Sequence, residues 1–309
     1  MDIYKLNKKK LNILDSQNFE SEKEIQLVVE KNTEEIFNLK FVKSEFSIKN
    51  YRIDTLCFDE ENKSFVIIEY KKGSSYSLVD QGFSYLSKML NNKSDFVLEY
   101  NELNDSNLKR NEIDWSQSRI IFISTHFNSY QRDSANFKDM PFELWEIKKL
   151  SDDLVGLDNI TSTSKESYKS VAPKGSDKNV LKEVSVYDED GLIEKSSEKI
   201  KELYFELKEK VSSWTDLKIK FQKNYIGLAK GNRNKVYLNL QKNRIKIHLL
   251  KRIDFNGNVK SKKILFNLDD PKKIHTLYES KHKEQYEILL ENKNDLDYVV
   301  SLMKQKYDT

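Results

Sequence analysis

The stretch "RIDTLCFDEENKSFVIIEYK", residues 52–71, constrains this chain more than any other. Two runs rich in Ile, Val, Leu and Phe flank a short polar segment, and such runs predict two strands joined by a tight turn. With Glu61 and Asn62 at the turn, Glu60 faces Lys63, Phe58 faces Phe65 and Asp54 faces Glu69. Directly opposed residues hold their Cβ atoms about 4.5–5.5 Å apart. Two carboxylates that close repel and raise each other's pKa. A divalent cation between them makes the arrangement favourable, because Mg²⁺ takes oxygen ligands, commonly one or two carboxylates with water and phosphate oxygens. Lys71, two residues after Glu69, projects from the same sheet face. Its ammonium is placed to offset the anionic pair, to hold an attacking water or to stabilise charge developing on phosphorus. No serine, cysteine or histidine is suitably placed as a nucleophile, so metal-assisted phosphodiester hydrolysis fits better than acyl transfer. The plain structural alternative is a partly exposed face on which Lys71 pairs with Glu69 or Asp54.

Periodicity places further elements around this hairpin. "SEKEIQLVVEKNTEEIF" (21–37) predicts a helix, with Ile25, Val28, Val29, Asn32 and Ile36 near one face, Ser21 as N-cap and Glu24 completing a capping box. Strands are expected at about 42–49, 51–58 and 64–70, a helix over 77–90, a buried strand over 119–125, a helix over 129–137 and a last strand over 142–150. The pattern collapses over 151–180, which is rich in Ser, Lys and Asp and reads as an exposed linker. A second region begins near 196 with the amphipathic helix "SSEKIKELYFELKEKVSSW". "LKIKF", "KVYLNL" and "RIKIHLL" then alternate as half-buried strands do, with turns expected at 241–243 and 256–258. "DDPKKIHTLYES" predicts a helix with Pro271 in its first turn, and "NDLDYVVSLMKQ" a closing helix. The expected organisation is a mixed α/β domain over 1–150, a linker over 151–195 and a small α+β domain over 196–309.

"RID", fourteen residues and then "E-x-K", set between a first and a second helix, resembles the PD-(D/E)XK nuclease superfamily. Ile53 stands where the superfamily name has proline. The resemblance implies a restriction-endonuclease-like mixed sheet flanked by helices, with Asp54 and Glu69 as metal ligands, Mg²⁺ or Mn²⁺ as cofactor and Lys71 as the catalytic lysine. It also implies a metal contact from the backbone carbonyl of Tyr70, and a setting in defence against foreign DNA or in repair. Gln81 and Tyr85 in "DQGFSYL" resemble the Gln-x-x-x-Tyr helix element of one branch, and their four-residue spacing puts both on one helix face. The same branch carries an acid on its first helix; here Glu24 is the first candidate and Glu30 the second. The whole chain also resembles bacterial two-domain proteins in which such a domain precedes a domain of unknown function of the DUF5655 type, the region "YIGLAKGNRNKVYLNL" carrying that likeness.

Charge separates the two regions. Residues 196–309 hold 25 Lys and Arg against 15 Asp and Glu, whereas 1–195 hold 28 against 35. Within 217–263 there are 14 basic residues and one acid, Asp254. Such asymmetry points to a polyanion, against the plain reading of a solvated lysine-rich face. Alternation sends Lys242, Arg244 and Lys246 into one expected row and Lys218 and Lys220 into another, with Arg233 in a polar turn and Lys251 and Arg252 beyond, a surface suited to DNA phosphates. Trp214 and Tyr225 read as core aromatics more readily than as base-stacking ones. No run approaches the roughly 18 apolar residues of a membrane span, and the basic N-terminus lacks an apolar signal core. With Cys57 as the single cysteine, a cytoplasmic protein without an internal disulfide is expected. The four scattered histidines lack zinc-site spacing. The expected partners are DNA, no membrane and a homodimer. A non-catalytic nucleic-acid-binding or protein-interaction module on a nuclease scaffold is the rival reading.

Overall fold

The hairpin forms in the register that its turn sets. In the computed structural model, which describes residues 3–71, 77–151, 153–172, 175–253, 266–279 and 283–309, Phe58 lies opposite Phe65 and Thr55 opposite Ile68. The side chains of Ser176, Arg252 and Ile253 also lie outside the description. The chain divides into two units, Met1–Val186 and Tyr187–Thr309.

The first unit runs β1 (Tyr4–Asn7), β2 (Lys10–Ile13), β3 (Ser16–Gln17), α1 (Glu22–Glu30), α2 (Thr33–Phe37), β4 (Lys40–Ile48), β5 (Tyr51–Asp59), β6 (Ser64–Lys71), α3 (Leu78–Asn91), α4 (Lys93–Asn104), β7 (Arg119–Ser124), α5 (Ser129–Ala135), β8 (Phe142–Leu150), β9 (Val155–Ile160), α6 (Tyr168–Val171) and α7 (Ser176–Glu183). Its mixed sheet has the order β3-β8-β7-β6-β5-β4, with β9 also on β8. β4, β5 and β6 form an antiparallel meander. β6, β7 and β8 run parallel, which requires the crossovers through α3, α4 and α5.

Alternation sorts each strand's side chains between two cores. Leu56, Phe58, Phe65 and Ile67 pack with Phe83, Leu86 and Phe96 of α3 and α4. Cys57, Val66, Ile68 and Tyr70 pack with Ile25 and Val29 of α1 on the other face. The sheet is thus covered on both faces, and "VII" in β6 reads as a continuous apolar run because it is buried all round. α3 lies close on the sheet because Gly82 has no side chain: a Cβ there would stand 2.4 Å from the Phe142 ring.

Several expectations need correction. The helix expected over 21–37 breaks, because the Asn32 side-chain amide donates to the Val28 carbonyl at 2.7 Å and Asn32 leaves helical geometry at φ −131°. Residues 151–186 are not an exposed linker. β9 pairs with β8, and Tyr168, Ala172, Val180, Leu181 and Val184 join the α3 core. Asp139 fixes the start of α6 by accepting from the Ser167 hydroxyl and the Tyr168 amide, each at 2.6 Å, and the Tyr168 ring stacks on Phe83 at 5.2 Å. Helix α4 and the β1–β2 hairpin are elements beyond those the sequence patterns predict.

The second unit contains α8 (Glu189–Ile193), α9 (Glu198–Val211), β10 (Leu217–Gln222), β11 (Tyr225–Lys230), β12 (Arg233–Leu240), β13 (Ile245–Ile253), β14 (His275–Glu279), β15 (Lys283–Leu290) and α10 (Leu296–Tyr307). Its antiparallel sheet has the order β10-β11-β12-β13-β15-β14, and α9 and α10 pack on one face. β11 was not expected as a strand. The helix expected to start at Pro271 does not form; residues 275–279 are the edge strand β14. Asp270 there accepts from the His275 main chain at 3.0 Å and from the Tyr298 hydroxyl at 2.5 Å, tying the segment to α10. The turn expected at 256–258 lies outside the described residues. None of the described helices is long and apolar enough to cross a membrane.

Candidate active site

Asp54 and Glu69 stand side by side on the α3 face of the sheet, where the hairpin register continued one step beyond Thr55 and Ile68 places them. Asp54 Oδ2 accepts the main-chain N–H of Tyr70 at 3.1 Å, so the carboxylate reaches across to the neighbouring strand. Burial raises the Asp54 carboxyl above its ordinary range; Glu22 adds to this, while the Tyr70 N–H, Lys71 and Arg52 oppose it. Glu69 is 4% exposed. Burial first, and then the Asp54 carboxylate, push it up to about 7 against the pull of Lys71 and of the Asp54 main-chain N–H.

Three donors converge on one oxygen of Glu69. Gln81 Nε2 lies 2.8 Å from Oε1, Lys71 Nζ 3.2 Å and the Tyr85 hydroxyl 3.3 Å. Gln81 and Tyr85, one turn apart on α3, also contact each other at 3.2 Å. The Tyr85 proton is shared between Glu69 and the Arg52 carbonyl at 3.2 Å. Burial and Glu69 push the Tyr85 hydroxyl up to about 12, so it stays a donor. The other oxygen, Glu69 Oε2, is buried and has no hydrogen-bond partner among the described residues. An unpaired buried carboxylate oxygen costs several times a normal hydrogen bond, a cost that a cation bound there would offset. Among the described residues no three His, Cys, Asp or Glu side chains gather around one point. Asp54 and Glu69 therefore offer two carboxylates, which fits an ion such as Mg²⁺ that keeps waters and phosphate oxygens in its shell. Tyr70 turns its ring to the α1 face, where its hydroxyl meets Thr55 at 3.1 Å, so only its backbone remains beside the carboxylates.

Glu24 is not part of this cluster. Its amide donates to the Ser21 hydroxyl at 3.1 Å, its carboxylate accepts the Glu20 N–H at 2.6 Å, and it pairs with Lys149 of β8 at 2.8 Å. Glu30 faces the rear of the sheet, where Thr55 donates to it at 2.6 Å. The α1 acid that acts on Asp54 is Glu22. The signal was present: Glu22 falls on the stripe of Ile25, Gln26 and Val29, the buried residues of α1, and that stripe faces the sheet.

The expected basic residues of the second unit divide. Lys218 and Lys220 lie on the β10 face opposite Leu217, Ile219 and Phe221, as alternation predicts, and contact Asn232 at 3.3 and 2.7 Å. Lys242 and Arg244 sit in the turn directly before β13, and Arg244 lies 3.7 Å from Glu291. Lys246 pairs with Glu287 at 3.2 Å. Arg233 opens β12 and is exposed. Lys251 lies 3.8 Å from Glu284 and over the Tyr286 ring on the helix side, beyond a bulge at Leu250–Arg252. The side chain of Arg252 lies outside the described residues. Trp214 is core, against Tyr307, while Tyr225 makes an edge contact with Tyr237 at 5.1 Å.

A Haemophilus influenzae protein described as "Uncharacterized protein" is 40% identical to this chain over 311 residues, covering 99% of each. No protein-family model matches the chain. No solved structure matches it.

Proposed function

We propose that this chain, which belongs to one family with the uncharacterized Haemophilus influenzae protein, is a divalent-metal-dependent nuclease that hydrolyses phosphodiester bonds of DNA. The observation that carries this is the buried Oε2 of Glu69, without a hydrogen-bond partner among the described residues, beside a second raised carboxylate, with Lys71 on the same cluster. Other features agree. The cluster lies at the carboxyl end of the parallel strand β6, where sites in α/β sheets open. The mixed sheet of the first unit, covered by helices on both faces, is consistent with the restriction-endonuclease-like core that the resemblance implies.

Asp54 and Glu69 would hold Mg²⁺ or Mn²⁺, together with the Tyr70 carbonyl. When bound, such an ion neutralises phosphate oxygens and lowers the pKa of a coordinated water. The Lys71 ammonium, 15% exposed, is positioned to stabilise the charge that develops on the phosphorus oxygens. Gln81 and Tyr85 fix the rotamer of Glu69 and leave Oε2 turned towards the ion. Glu22, at the rim, adds negative charge near Asp54. The basic strands β10 and β13 would supply sequence-independent phosphate contacts, and the protein would work in the cytoplasm.

The test is cleavage of supercoiled, linear and single-stranded DNA, with RNA as competitor, in Mg²⁺ or Mn²⁺ and in EDTA. Cleavage should require metal and fall by about 10³-fold or more in Glu69→Gln and Lys71→Met. A folded chain that binds DNA but cleaves nothing with either metal would make it a binding module on a nuclease scaffold. Preferential cleavage of RNA would move the substrate class.

A further inference from the structure

Beyond the carboxylates, α3 continues its site-facing stripe. Gln81, Tyr85 and Lys88 follow at i, i+4 and i+7 on one helix face. The Tyr85 ring, whose hydroxyl meets Glu69, makes an edge contact with Tyr51 at 6.3 Å and 79°. Lys88 Nζ stands 4.5 Å from the centre of the Tyr51 ring. Among the described residues no carboxylate lies within ion-pair distance of Lys88. One residue along β5, Arg52 lends its carbonyl to Tyr85 while its side chain is 66% exposed, and its charge reaches Asp54. Its partner Glu45 is 3.7 Å away and is held more tightly by Lys23. Arg52 thus stands beside the buried anionic pair, and Lys88 lies beyond it through the Tyr51 and Tyr85 rings.

Lys88 has no role in the core that would account for this. A lysine held over a ring keeps its charge and loses part of its rotamer freedom. The fixed cation gains most from an anion brought to it, and the anion must tolerate the neighbouring carboxylates. A phosphodiester chain meets both conditions, because one phosphate takes the ion while the next needs a separate counter-charge.

We infer that Lys88, seated on Tyr51, and Arg52 form a phosphate-binding rim that holds the nucleic-acid backbone beside the phosphate at the carboxylate pair, an inference that rests on the nuclease proposal. The rim sets strand placement; Lys88 and Arg52 are positioning residues and take no part in bond breaking.

The experiment measures binding of a labelled single strand and a duplex by anisotropy across a salt series, with Ca²⁺ in place of Mg²⁺, and cleavage kinetics with Mg²⁺. The variants are Lys88→Gln, Lys88→Arg and Arg52→Gln, each checked for an unchanged melting temperature. Lys88→Gln should raise Kd and KM by about tenfold, with kcat little changed, and reduce the salt slope by about one. Lys88→Arg should restore both, and Arg52→Gln should act in the same direction. If the wild type cleaves while both neutral variants keep its Kd and slope, the rim is overturned and the nuclease stands. If the wild type binds through Lys88 but cleaves nothing, the nuclease is overturned and the rim stands. A wild type that binds no nucleic acid removes both.

Discussion

Gln26 of α1 donates its side-chain amide to the main-chain carbonyl of Asp54 at 2.9 Å, from the sheet face opposite the Asp54 carboxylate. The same amide group reaches Ser44 of β4 at 3.2 Å and Glu30 at 2.8 Å, so one buried side chain ties α1 to β4 and β5 where the site begins. The Asp54 carboxylate is aimed from behind.

Gln26→Leu should therefore leave the fold intact and loosen the metal pair. Support of this kind is worth about 10–100-fold in metal affinity. Calorimetric titration with Mn²⁺ should show a weaker Kd, while the urea midpoint drops only modestly. An unchanged Kd would mean that Gln26 serves the fold alone.

Glu69→Gln should not destabilise the metal-free protein. An amide removes a buried carboxylate that Asp54 opposes and that has one oxygen unpartnered. The variant's melting temperature without metal should equal or exceed the wild type's. The stabilisation that Mn²⁺ gives the wild type, about 2.7 kcal/mol at a hundred times Kd, should vanish in the variant.

Arg119 spans three strands. It donates to Asp59 of β5 at 3.2 Å and to Glu143 of β8 at 2.7 Å, from the start of β7 between them in the sheet order. Arg119→Met strands two carboxylates, Asp59 being 6% exposed, and should cost about 3 kcal/mol. Adding Asp59→Asn should recover part of the loss in urea unfolding; strict additivity would show the groups to be independent.

Gly82→Ala drives a Cβ into the Phe142 ring, which cannot swing away because Phe83 and Phe122 pack at 5.1 and 5.8 Å. Overpacking of this sort costs about 1–3 kcal/mol. The displaced α3 carries Gln81 and Tyr85, so cleavage should fall as well, and an ordinary helix-favouring gain in stability would contradict the packing.

Lys306, 8% exposed in the second unit, sits 4.9 Å over the Phe266 ring. Burial, then Lys235, push its ammonium down to about 8 from 10.5. The unfolded chain binds the extra proton between those values, so this group makes stability rise with pH from about 8 to 10.5. Lys306→Met should flatten that rise and stabilise the second unit at pH 7 by about 1–3 kcal/mol. Trp214 fluorescence in a Trp115→Phe, Trp145→Phe background reports it.

The sequence by itself determined the hairpin, its register, the helix that follows and the order of strands β4 to β8 with α3 and α5 between them. These depend on local quantities: a two-residue side-chain period, a short turn that pins opposite residues, and a helical period that groups Gln81 with Tyr85. Alternation also sorted Lys218 and Lys220 from the apolar set of β10. Tertiary structure decided which acid of α1 approaches Asp54, because Glu22 and Glu24 are both first-turn carboxylates and only docking of the Ile25–Val29 stripe selects between them. It also decided that 151–186 packs on α3, since five apolar residues spread through a polar segment have no period yet fill one core. It left Glu69 Oε2 without a partner among the described residues, because three donors from two elements compete for the other oxygen, and such a count exists only once distant segments share a few ångströms of space.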